Sequence, residues 1–129
     1  MDGTPTTTDS PAASQATVDF ASALSATPEW QAWEAAAMRV RGDPSAQRAS
    51  AAYEERLKAL RLNLMLQAVS PEEEAELERL HDALFDEPAV VAYAEAEAAL
   101  KALCGASAER LSRTIGLDYA GSCATSCCG

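Results

Sequence analysis

Three of the four cysteines fall within the last seven residues, as Cys123, Cys127 and Cys128. Thiolates prefer soft ions, and a Cys-x3-Cys-Cys set among glycine, serine, alanine and threonine can fold around one, so the tail reads as a ligand set for an iron–sulfur cluster or another metal. One chain offers three such thiols, and a second chain could complete the site. Cys104 is a further candidate, but it lies in a helical stretch nearly twenty residues before Cys123, where a free cysteine behaves as a small buried hydrophobe. The spacing matches no familiar zinc or ferredoxin pattern, so zinc, a redox-active tail and an unligated tail stay open as alternatives.

Little else in the chain could do chemistry. His81 is the only histidine, and its place beside Asp82 at the edge of an apolar stripe suits a partly exposed structural imidazole. The Glu72-Glu73-Glu74 run opens a helix, where acids are favoured by the helix dipole. There is no glycine-rich phosphate loop, and no Cys-x-x-Cys at a helix start to support a thiol oxidoreductase. No catalytic residue is assigned, and the chain reads as a non-enzyme.

The elements that must position these residues follow from composition and punctuation. The 129 residues include 29 alanines and only seven aromatics, which favours close-packed helices over strands in a single small domain. Residues 1–12 read as a disordered arm, 13–117 as the helical domain and 118–129 as the Cys-rich tail. Thr27-Pro28, Asp43-Pro44, Ser70-Pro71 and Glu87-Pro88 each place proline at a first helical position. Ser70-Pro71-Glu72-Glu73 is also a capping box. The fold predicted is an all-α bundle of five helices at about 13–26, 28–41, 45–69, 71–85 and 88–116. Its third and fifth helices are expected to pair as a long antiparallel hairpin, with the fourth as connector.

In the third helix Tyr53, Leu57, Leu60 and Leu64 form one stripe, while Leu62, Met65, Leu66 and Val69 form a second. That end must be covered on two sides, by the chain's own helices or by another subunit. Trp30 and Trp33 share a helix face and read as core or interface anchors. The net charge of -10 disfavours unaided binding to nucleic acid or anionic lipid, and the start of the chain lacks a secretory pattern, so a cytoplasmic location is expected. The only stretch that is not acidic is the third helix, at +1 over residues 43–69 with Arg48, Arg56, Lys58 and Arg61.

Taken in order, these features resemble the YlbF/YmcA family of small helical regulators. The first is Phe20 to Trp30 with Ser25-Ala26-Thr27-Pro28-Glu29-Trp30, followed by Asp43-Pro44-Ser45-Ala46-Gln47. Next come Glu87-Pro88-Ala89-Val90-Val91-Ala92-Tyr93 with Glu95-Ala96 and Leu100, and the ending Gly116-Leu117-Asp118-Tyr119 with Cys127-Cys128 is similar to archaeal members. The resemblance implies a non-enzymatic helical adaptor that self-associates or joins family paralogues. It implies a complex that binds iron–sulfur clusters and assists an endoribonuclease in processing messenger RNA, with effects on competence, sporulation and biofilm formation. Only Cys123, Cys127 and Cys128 correspond to the family's cysteine-bearing tail. The alternative reading is a precursor peptide, with a helical leader and a modified Ser/Thr/Cys-rich tail cut after Ala120-Gly121.

Overall fold

Proline opens every helix. The computed structural model describes residues 10–117, and its elements in chain order are α1 (Pro11–Ser25), α2 (Pro28–Gly42), α3 (Pro44–Met65), α4 (Pro71–Phe85) and α5 (Pro88–Ile115). No strand occurs among the described residues. Residues 1–9 and the tail 118–129, with its three cysteines, lie outside them. The first helix begins inside the stretch expected to be an arm, because Ser10-Pro11 is a fifth use of the same punctuation.

The caps follow from the residue before each proline. Asp43 accepts from the Ser45 and Ala46 N–H groups at 2.9 and 3.2 Å, and Thr27 accepts from that of Trp30 at 3.3 Å. Ser70 forms the full capping box, its hydroxyl accepting from the Glu73 N–H while the Glu73 carboxylate accepts from the Ser70 N–H, each at 3.2 Å.

The third helix stops at Met65, earlier than the expected 69, without a glycine to stop it. Gln67 takes the left-handed conformation at φ 52, its N–H bonds the Leu64 carbonyl at 3.2 Å, and the Ala68 N–H bonds that of Asn63 at 2.8 Å. Those two bonds are the Schellman pattern that glycine normally serves. A side chain with a Cβ is strained there by roughly 1–2 kcal/mol, partly offset by the lower entropy of the unfolded chain relative to glycine. Gln67→Gly is therefore expected to stabilise the fold by about 0.5–1 kcal/mol, read as a higher urea midpoint with an unchanged slope.

Helix pairing differs from the sequence expectation. The fifth helix packs on α2 and the third on α4, so the hairpin of 45–69 with 88–116 does not form and α4 is a packing partner instead of a connector. Tyr53 meets His81 and Arg56 meets Glu76, which sets α3 and α4 antiparallel. Where α2 ends and α3 begins, the Ser45 hydroxyl donates to the Glu87 carboxylate at 2.8 Å, bringing the start of α3 to the start of α5. The second helix therefore ends where α5 starts, and the two run antiparallel. Trp33 and Tyr93 join them, with ring centroids 6.3 Å apart.

The core at these junctions is made of small side chains. Among the described residues the buried apolar set is Ala36, Ala37, Ala46, Leu60 and Ala89. Alanine lets backbones approach closely, yet it buries little apolar area per residue. Much of the bulky apolar surface is consequently left outside.

Candidate functional site

The exposed apolar material concentrates at the end of α3. Leu62, Met65 and Leu66 are 66%, 74% and 67% exposed, and Leu64 is also exposed. The register explains why the chain does not cover them. With Tyr53 level with His81 and Arg56 with Glu76, Pro71 falls near Leu62, so Asn63 to Leu66 run past the start of α4. Val69 lies in the connection beyond α3 and is half-buried.

Beside these residues is a shallow recess of about 450 Å³ lined by Leu57, Lys58, Arg61, Leu64 and Met65. Neither Lys58 nor Arg61 has an ion pair among the described residues, whereas Arg56 is held by Glu76 at 3.0 Å. The surface is thus apolar in the middle and cationic at its side, on a chain whose net charge is -10. It suits a helix or loop carrying apolar residues flanked by carboxylates.

The tryptophans occupy a different place. Trp30 and Trp33 are half-buried, their rings 5.2 Å apart, and Trp33 faces Tyr93 of α5. Trp33 thus sits at the α2–α5 contact inside one chain, with Trp30 against it on α2. His81 meets Tyr53 of α3 edge-on at 5.8 Å and the tilted ring of Phe85, one turn on in α4, at 4.4 Å, with Asp82 3.4 Å from its Nδ1. The imidazole is exposed, an aromatic spacer at the edge of the α3–α4 contact.

Cys104 is exposed, contrary to the expectation of a buried hydrophobe, because α2 is about 22 Å long against about 42 Å for α5 and stops short of it. Its thiol lines a groove of about 550 Å³ between α1 and the second half of α5, with Phe20, Ser107, Leu111 and Thr114. Sequence reasoning missed this groove, although the length difference between the second and fifth helices signals an uncovered segment. Among the described residues no three His, Cys, Asp or Glu side chains gather as a metal site, and Cys123, Cys127 and Cys128 lie outside those residues. No helix among them is long and apolar enough to cross a membrane.

The family model described as control of competence regulator ComK, YlbF/YmcA matches residues 15–115. The chain belongs to the YlbF/YmcA family. The matched span begins within α1 and ends with the last residue of α5, so all five helices contribute to the family pattern. No curated protein and no solved structure matches the chain.

Proposed function

We propose that this YlbF/YmcA member works without catalysis, as a regulatory adaptor whose end of α3 is docked by another subunit. The observation that carries the reading is Leu62, Met65 and Leu66 standing exposed beside Lys58 and Arg61, which have no ion pair among the described residues. Three large apolar side chains together in water are an unfavourable arrangement that docking removes, and the two cations select an acidic partner. Family relatives and an RNA-processing endoribonuclease complex are the partners that the resemblance suggests.

The Cys-rich tail extends this proposal. Cys123, Cys127 and Cys128 would hold an iron–sulfur cluster or zinc as thiolates, with Cys104 or a second chain as a source of the remaining ligand. The donor set fits such ions by its chemistry, and the exposure of Cys104 leaves that thiol accessible. A bound cluster would supply redox or oxygen sensitivity to the assembly. Anaerobic purification with iron, sulfide and zinc analysis, beside a Cys123→Ser, Cys127→Ser, Cys128→Ser variant, tests this part: metal lost in the variant supports it, and metal-free native protein ends it.

The docking reading is tested by the double substitution Leu62→Glu, Leu66→Glu. Both positions are exposed, so helicity and urea midpoint should stay close to wild type. The native complex, sized from the protein's own cells, is expected to lose a subunit. A complex of unchanged mass around the folded variant overturns the reading.

A further inference from the structure

The helices pack as two pairs, α2 with α5 and α3 with α4, while the contacts that join one pair to the other are fewer and run chiefly between helices that follow one another in the chain. Both chain crossings fall at one level. Ser45 stands eleven residues before Arg56 and Glu87 eleven after Glu76, so the register that sets Arg56 on Glu76 also sets Ser45 on Glu87 and brings the breaks at Pro44 and Pro88 level.

A single extended residue precedes the proline at each crossing: Asp43 at φ -89 and ψ 110 between α2 and α3, and Glu87 at φ -61 and ψ 127 before α5. Proline holds the residue before it out of the helical region and lacks the N–H that would carry the helical ladder through, so ψ of Asp43 and of Glu87 can vary within the extended range. Interlocking ridges of large side chains normally fix the angle between packed helices. At this joint the buried side chains among the described residues are Ala46 and Ala89, and a methyl group offers little ridge.

Two exposed side chains span the joint instead. The Ser45 hydroxyl donates to the Glu87 carboxylate at 2.8 Å, and the Gln47 carboxamide donates to the Val40 carbonyl at 2.8 Å across the break between α2 and α3. Glu87 makes no side-chain cap bond to α5, so its carboxylate serves the joint and not the helix start. We propose that the chain is articulated here: the α3–α4 pair turns as one body on the α2–α5 pair about Asp43 and Glu87, and the Ser45 and Gln47 side chains are the latch that sets its angle. The contacts of Tyr53 with His81 and of Arg56 with Glu76 lie inside the turning body and survive the motion. The third helix is 22 residues long, about 33 Å, so a turn of about 15° carries the end bearing Leu62, Met65 and Leu66 by about 9 Å. The latch thereby decides where that apolar end stands relative to α2 and α5.

The articulation does not depend on whether the end of α3 is docked, and its test reads distances inside one chain. In the full chain with its four cysteines replaced by serine, spin labels are placed in pairs at exposed positions, and labelled protein is diluted with unlabelled. Gln31→Cys with Glu72→Cys spans the joint, Glu54→Cys with Glu72→Cys lies within α3–α4, and Gln31→Cys with Glu95→Cys lies within α2–α5. Adding Ser45→Ala, Gln47→Ala is expected to move the distance across the joint by at least about 5 Å, or to widen its distribution about twofold, while both distances within a pair stay as they were. An unchanged distance across the joint overturns the inference. So does a change in all three distances together, because the two side chains would then be holding the fold and not an angle.

Discussion

Leu60→Ala is expected to lower the unfolding free energy by about 2–4 kcal/mol, while Leu62→Ala, two residues away on the same helix, changes it by less than about 0.5 kcal/mol. Leu60 is 3% exposed and shares the stripe of Tyr53 and Arg56 that faces α4, whereas Leu62 is 66% exposed. The difference is large because Leu60, among the described residues, is the sole bulky member of a buried set otherwise made of alanine. Against a typical domain stability of roughly 5–15 kcal/mol, such a loss is a large fraction of the whole. Urea unfolding of the two variants measures the contrast directly, and similar midpoints would mean that α3 faces another way.

The junction of α2, α3 and α5 should be equally intolerant of added volume. Ala46 and Ala89 are the two most completely buried residues there, at 1% and 0% exposure, beside the hydrogen bond from Ser45 to Glu87. Ala89→Leu adds three carbon atoms where the helices have closed on a methyl group. Overpacking of that kind costs about 1–3 kcal/mol and occasionally more, and here it also forces the start of α3 away from Glu87. Leucine is almost as good a helix former as alanine, so the effect is not one of propensity. Ala98→Leu, on an exposed position of α5, is the matching control and should leave the thermal midpoint nearly unchanged.

Helix starts were written plainly in the chain, because proline after a residue held out of the helical region, with an acceptor side chain at three of the four expected starts, leaves few alternatives. The Ser70 capping box and the five-helix count came from such local chemistry. Helix pairing was harder to read. Alanine faces that bury look in sequence like alanine faces that do not, so α2 gave no sign that it outcompetes α3 for α5. The end of α3 was hidden for a similar reason, since Gln67 performs a turn that glycine usually announces. The apolar end of α3 was legible, because four large apolar residues extend beyond what one stripe can absorb. That Trp30 and Trp33 share a helix face was legible from their spacing, but Tyr93 as the partner of Trp33 depended on the pairing. The exposure of Cys104 followed from helix lengths, a property of two elements together and of neither alone.

Methionine oxidation gives the most direct test of docking at α3. Met65 and Met38 are both well exposed in the single chain, on α3 and α2 respectively, and peroxide converts exposed methionines to sulfoxides at rates that follow their accessibility. In the native assembly, followed peptide by peptide, Met65 is expected to react at least several-fold more slowly than in the dissociated chain, with Met38 as the internal reference. Equal oxidation of Met65 in the assembled and dissociated states would mean that nothing covers the end of α3, and would contradict the account.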